Sequence, residues 1–135
     1  MDKFVSKVMK ELEFEAETYN IPIIRKSERQ LLFKTVYENK PKRILEIGTA
    51  IGFSALLMAT ANDDAIIDTV EKDTKRFERA KKAIEDAKET IEGAKILMNK
   101  MPNFSKKHGD ELNQLIEEQN KLIDKAEAIL KANGR

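Results

Sequence analysis

Residues 44–54 read ILEIGTAIGFS, an apolar run that leads into a turn containing Gly48 and Gly52. The apolar run predicts a β-strand over 43–47, because short apolar runs that end at glycine are typical of buried strands. The residues after Gly52 are apolar and helix-favouring, so a helix should follow the turn at once. A strand, a glycine turn and a helix in this order constrain the fold more than any other feature of the chain.

A second strand is predicted at 65–70, where the sequence AIIDTV is followed by the acid Glu71. Two strands separated by one short helix pair in parallel and are joined by a right-handed crossover. The carboxyl ends of both strands then lie at the same edge of the sheet. The sequence therefore predicts an α/β fold in which the glycine turn and Glu71 are neighbours.

The glycine turn is a candidate ligand site. Glycine lets the backbone come close to a ligand, and the helix that follows presents free N–H groups and the positive end of its dipole. The spacing GxxxG differs from the dinucleotide and phosphate-loop motifs, and no lysine follows, so a phosphate ligand is not favoured. An acid at the end of the neighbouring strand can accept hydrogen bonds from ribose hydroxyls.

Composition excludes several other functions. The chain has 135 residues and a formal net charge of +1, with no cysteine and one histidine. A single domain over 1–135 is expected, with no general attraction for nucleic acid and no histidine triad or cysteine-based metal site. No stretch has the length and apolarity of a membrane span or a signal peptide. We therefore expect a cytoplasmic protein that binds neither nucleic acid nor membrane.

Helices are predicted on both sides of the βαβ unit. The segment 1–40 is a helical entry region, 41–86 is the half that holds the glycine turn, and 87–135 is interpreted as part of a helical hairpin. Apolar residues recur at steps of three and four from Phe77 to Met98, which predicts one long helix with an apolar seam. A loop at 101–110 and a last helix would complete a C-terminal αα-hairpin. The seam could also close a homo-oligomer, and a strand within 88–98 is the alternative to the helix.

The stretches ILEIGTAIGFSALLMA and IIDTVEKDTKRFERAKKAI resemble class I S-adenosylmethionine-dependent O-methyltransferases of the caffeoyl-coenzyme A and catechol type, in particular the bacterial branch. The resemblance covers about residues 10–85 and implies a Rossmann-like fold with S-adenosylmethionine as cofactor. It also implies the roles of the site residues. By this resemblance, the pocket for the methionine part would be shaped by Glu46, Gly48 and Gly52. Ser54 would bind the cofactor carboxylate and Glu71 the ribose.

The chain departs from this family after Val70. The family has about seven strands, and its catalytic acids, which often hold a divalent metal, follow the later ones; nothing here resembles the family's FDLIFID stretch. The four residues 91–94 (IEGA) are similar to the family's IEGDA after strand three but lack its aspartate. No catalytic residue or metal site can therefore be named. The remaining acids, such as Asp110, Glu117 and Asp124, are interpreted as solvated helix faces.

Two main functions remain open from the sequence, beside a third, a helical interaction module that uses the seam from Phe77 to Met98. The first is a small or reduced S-adenosylmethionine-dependent O-methyltransferase. The second is a catalytically inactive or designed, chimeric αβ scaffold whose helical hairpin is a structural or oligomerisation element. A truncated gene, an engineered chain and a diverged full enzyme are each compatible with the sequence. The regular Ala, Lys, Glu and Ile pattern after Phe77 favours the engineered origin.

Overall fold

The computed structural model describes residues 3–88, 91 and 94–134, and it divides into two compact units, Met1–Met101 and Pro102–Arg135. The helices and strands, in chain order, are α1 (Lys3–Thr18), α2 (Lys26–Asn39), β1 (Arg43–Ile47), α3 (Phe53–Ala61), β2 (Ile66–Glu71), α4 (Thr74–Ala87), β3 (Lys95–Lys100) and α5 (Met101–Ala132). The first unit contains every element except α5. A single domain over the whole chain stays a prediction.

The sheet of the first unit has three parallel strands in the order β1-β2-β3. In the register of the sheet, Leu45 pairs with Asp68 and Asp68 with Leu97. Each strand follows a helix, as parallel pairing requires. The predicted α/β fold with a Rossmann-like βαβ unit is confirmed.

One face of the sheet is covered by helices. Side chains alternate between the two faces of a strand, so Ile67 and Ile96 face the helices and pack in the core. The core joins them to Leu12 of α1 and Leu56 of α3, both fully buried. The opposite face carries Leu45, Ile47 and Leu97, all of them exposed.

The predicted helix from Phe77 to Met98 is wrong beyond Ala87. The helix α4 ends there, and Lys95–Lys100 pairs with β2 as the third strand. The physical reason is that two strands alone make a marginal sheet, and β2 has a second edge whose backbone groups need partners. The alternative, a strand within 88–98, is closer to the structure, because β3 begins inside that range. Among the described residues, the helical seam predicted from Phe77 to Met98 therefore does not continue past Ala87.

The predicted αα-hairpin is also wrong, because its first helix ends at Ala87, β3 follows it, and the predicted loop is helical. The helix α5 begins at Met101 and runs without a break to Ala132, through the predicted loop at 101–110. Pro102 lies in the first turn, where the missing N–H of proline removes no helical hydrogen bond. Gly109 then lies inside the helix, at a cost of about 1 kcal/mol relative to alanine.

An ion pair joins two helices that are distant in sequence. Arg79 of α4 donates from Nε to Glu15 Oε2 of α1 at 2.7 Å and from a terminal nitrogen to Glu15 Oε1 at 2.8 Å. The two hydrogen bonds from one guanidinium fix orientation as well as distance. They hold α1 beside α4 and thereby help α1 to cover the core.

Candidate functional site

The glycine turn between β1 and α3 is held by the end of β2. The backbone N–H groups of Gly48 and Thr49 both donate to the carbonyl oxygen of Val70, at 2.8 and 3.0 Å. Gly52 N–H donates to Thr49 O at 3.0 Å, which closes the turn, and Gly52 O then accepts the N–H of Leu56 inside α3. The turn is therefore fixed at the carboxyl ends of two adjacent parallel strands, where α/β proteins bind their ligands.

The two glycines are required for different reasons. Both have a positive φ, +93° for Gly48 and +98° for Gly52, a backbone conformation that residues other than glycine rarely adopt. A Cβ at Gly52 would lie 3.4 Å from the Cα of Ala80, so this glycine allows close packing of the turn against α4. A Cβ at Gly48 would meet nothing within 4 Å. Gly48 is thus the position where a ligand can reach the backbone.

Glu71 lies beside the turn with its side chain almost wholly buried, at 6% exposure. Its Oε1 accepts the N–H of Ala50 in the turn at 2.8 Å, and its Oε2 accepts the N–H of Asp73 at 2.9 Å. Asp73 in turn caps α4 by accepting the N–H of Arg76 at 2.8 Å. Glu71 therefore joins the glycine turn to the start of α4. Each carboxylate oxygen keeps a second lone pair that a ligand hydroxyl could use.

Glu46 is the other acid of the site, and each of its oxygens accepts one hydrogen bond from a side-chain hydroxyl. Ser54 Oγ donates a short hydrogen bond to Oε2, and Thr69 Oγ1 donates to Oε1 at 2.7 Å. The hydroxyl of Thr69 also meets that of Thr49 at 2.5 Å. Burial raises the pKa of the Glu46 carboxyl above its ordinary value, while the hydrogen bonds from Ser54 and Thr69 oppose the rise.

Two polar residues of the site were missed by sequence reasoning. Thr49 and Thr69 are buried, at 1% and 0% exposure, and link the turn to Glu46. The signal was present in the sequence: Thr69 is a polar residue inside the apolar strand AIIDTV, and buried hydroxyls need partners. The structure brings all five predicted site residues into this region.

A separate cleft of about 590 Å³ lies between α4 and β3, lined mainly by apolar side chains and by Lys81, Lys88 and Lys95. None of the predicted site residues lines it. Within the residues that the structure describes, no cluster of three His, Cys, Asp or Glu side chains could hold a metal ion. The acids Asp110, Glu117 and Asp124 of α5 are exposed, as predicted.

The parallel sheet, the glycine turn and the acid at the neighbouring strand end together define a Rossmann-like α/β protein of the methyltransferase class. Comparison of the sequence with family models gives a match to the O-methyltransferase family over residues 2–125. The chain belongs to this family. The match reaches well beyond residues 10–85 and includes β3 and most of α5.

Solved structures show the same fold. A Staphylococcus aureus protein assigned as a caffeoyl-CoA O-methyltransferase shares 29% identity, with a TM-score of 0.58 over 67% of this chain. An O-methyltransferase from Bacillus cereus, solved with S-adenosylhomocysteine, shares 19% sequence identity, with a TM-score of 0.59 over 82% of this chain. An O-methyltransferase of tomaymycin synthesis from Streptomyces achromogenes, solved with S-adenosylmethionine, shares 21% sequence identity, with a TM-score of 0.56 over 77% of this chain.

The chain spans less than half of these structures: 43% of the Staphylococcus protein, 49% of the Bacillus protein and 46% of the Streptomyces protein. The fold similarity therefore concerns only a part of each of these proteins. Among the described residues no helix is both long and apolar enough to cross a membrane.

Proposed function

We propose that the chain binds S-adenosylmethionine and S-adenosylhomocysteine at the carboxyl ends of β1 and β2, as the cofactor-binding part of an O-methyltransferase. One observation carries the proposal: the open backbone at Gly48 lies in a turn that is tied to a buried strand-end acid, Glu71, through Ala50. Membership of the O-methyltransferase family supports it, as do the relatives solved with these two ligands.

The residues present fit this cofactor at two points. The exposed Gly48 leaves room for a ligand against the turn, and Glu71 has free lone pairs for hydroxyl groups. We assign the methionine part to Glu46, Gly48, Gly52 and Ser54. Of these, Gly52 acts indirectly, because it faces Ala80 and sets the position of the turn.

When bound, the cofactor supplies a sulfonium methyl group for transfer to a substrate oxygen. The described residues would contribute by orientation, since holding reactants in line can remove a large part of a barrier of this kind. Glu46 fixes the hydroxyls of Ser54 and Thr69 and thereby the first turn of α3. We assign no base and no substrate.

A second candidate function is a scaffold that does not bind the cofactor. The observation that favours it is that the polar groups of the site are already paired. The hydroxyl of Ser54 donates to Glu46, and both oxygens of Glu71 accept backbone N–H groups. A ligand carboxylate would need the Ser54 hydroxyl to turn away from Glu46. The scaffold hypothesis predicts that this exchange does not occur.

Isothermal titration of the chain with S-adenosylmethionine and S-adenosylhomocysteine separates the two functions. The cofactor proposal predicts saturable binding that Gly48→Val abolishes, because the new side chain occupies the space above the turn. The control is Asp68→Asn, a change in the same sheet that leaves the turn intact. Absence of heat at millimolar ligand, with a folded protein by circular dichroism, would establish the scaffold instead. A cytoplasmic location stays a prediction that cell fractionation can check.

A further inference from the structure

The helix α5 carries large apolar side chains that are exposed among the residues that the structure describes. Six of its large apolar residues fall in two columns in which the members are seven residues apart. The columns are Leu115, Leu122 and Ile129, and Ile116, Ile123 and Leu130. These six side chains are between 46% and 67% exposed. An apolar face of this regularity marks an interaction surface.

The seven-residue period indicates a helical partner. A repeat of seven keeps the same side chains on one face of a helix that winds around another helix. From Asp110 to Leu130 the helix is about 30 Å long at 1.5 Å per residue, which is long enough for several layers of packing. Gln119 and Ala126 lie in the middle of the same face, so one polar and one small residue interrupt its large apolar residues. A partner with the complementary order of large and small residues would fit this face.

The charges of α5 indicate the direction of that partner. The first half carries acids only between Asp110 and Glu118, whereas the second half contains Lys121, Lys125 and Lys131 beside two acids. A parallel copy would bring acids against acids. An antiparallel copy would bring the acidic half of one helix against the lysines of the other, which favours that orientation.

We propose that α5 pairs antiparallel with α5 of a second copy of this chain. With the two-fold axis between Asn120 and Lys121, Glu118 of each helix lies beside Lys125 of the other. The same register places Leu115 against the small Ala126 of the second helix. It also brings Ile116 of one copy to Ile123 of the other. The pairing depends on α5 alone and is independent of cofactor binding.

Sedimentation velocity of the full chain tests the pairing. The expected species has twice the mass of the chain, and Leu122→Asp or Ile123→Asp should weaken dimerisation by about tenfold or more, because each buries a charge in the helix contact. Ala128→Asp is the matched control, since it adds the same residue on the opposite, exposed side of α5. It should leave the dimer unchanged. Circular dichroism verifies that all three variants remain folded.

Charge reversal tests whether the two α5 helices are antiparallel. Glu118→Lys and Lys125→Glu should each weaken the dimer, and the double variant should restore it, because the swapped charges meet again in the antiparallel register. A wild-type chain that is monomeric at concentrations of about 100 micromolar would overturn the proposal. So would a dimer that is insensitive to Leu122→Asp and Ile123→Asp. A double variant no better than the single ones would overturn the antiparallel direction.

Discussion

The backbone N–H of Ala50 donates a hydrogen bond of 2.8 Å to Oε1 of Glu71, twenty-one residues later in the chain. This contact joins the glycine turn to a carboxylate that is almost wholly buried. Glu71 is thus a structural support of the turn as well as the proposed ribose ligand. Loss of its carboxylate would affect folding before any ligand is added.

We therefore expect Glu71→Gln to lower the free energy of unfolding by about 1–3 kcal/mol, because the amide nitrogen cannot accept one of the two buried N–H groups. Urea unfolding measures the change. The control is Asp68→Asn on the same strand, where the partner Arg43 is largely exposed and the loss should be below about 1 kcal/mol. Equal losses at both positions would show that Glu71 does not support the turn.

The two glycines should respond differently to the same substitution. Valine is strained at either position by the positive φ, but at Gly52 its methyl groups would also press on Ala80. We expect Gly52→Val to cost about 1–3 kcal/mol more than Gly48→Val, which is typical of overpacking. Chemical denaturation of the two variants gives the difference. If Gly48→Val is the more damaging of the two, the turn packs differently from the structure.

Glu46 should make stability depend on pH in a defined direction. Its pKa is raised above the ordinary value of 4.5, so the folded state binds the proton more tightly than the unfolded chain. This tighter proton binding stabilises the folded state at pH values below the ordinary pKa of 4.5, and the stabilisation is lost as the pH rises through the raised pKa. Glu46→Gln removes this dependence. The stability of the wild type relative to Glu46→Gln should thus fall from acid to neutral pH, as measured by urea unfolding at several pH values.

A constant difference between wild type and Glu46→Gln across that range would contradict the raised pKa. Glutamine suits the comparison because its oxygen can accept from Thr69 and its amide can donate to the Ser54 oxygen. The hydrogen-bonding pattern around position 46 is then kept while the titrating group is removed.

The third strand can be tested by two adjacent substitutions. Ile96 packs against the core, whereas Leu97 is 45% exposed on the other face of the sheet. Ile96→Asn should cost about 2–3 kcal/mol, since it places an amide in an apolar site, and Leu97→Asn should cost less than about 1 kcal/mol. Both introduce the same poor strand former, so the difference reports burial. Similar losses at the two positions would contradict the alternation that a strand requires.

The first two strands and the helix between them could be predicted because their signals are local. The apolar run before Gly48, the glycine turn and the acid Glu71 each act within a few residues. They also lie where the family resemblance is strongest, which is why the five residues named from the sequence lie together in the structure. Thr49 and Thr69 required knowledge of which strand lies beside which, because their hydroxyls meet only across the turn.

The third strand could not be predicted by the same reasoning. Ile91, Ala94 and Met98 continue the three- and four-residue spacing of α4, so the helical pattern runs into the strand by coincidence of spacing. The strand β3 has only the six residues Lys95–Lys100, and burial alternates over only the first four of them. The choice between helix and strand for these residues is decided by pairing with the free edge of β2, which is a tertiary contact that overrides local propensity. Gly93 and the likeness of residues 91–94 to the family's stretch after strand three were local signs of a break. Gly93 and Glu92 lie outside the described residues. The engineered origin was favoured by a regular helical pattern after Phe77, and that pattern is not one helix beyond Ala87. The engineered origin stays a prediction.

The approach of Gly52 to Ala80 also limits how sequences of this fold can vary. A larger side chain at either position has little space, since a Cβ at Gly52 would already lie 3.4 Å from both the Cα and the Cβ of Ala80. A residue larger than alanine at position 80 or at position 52 would therefore have to be accompanied by a shift of α4. Among relatives with the same turn, the residues at both positions should therefore remain small, and a larger residue at one should come with a change at the other. A pair of small residues at this separation is thus a sequence signature that extends the glycine motif into the next helix.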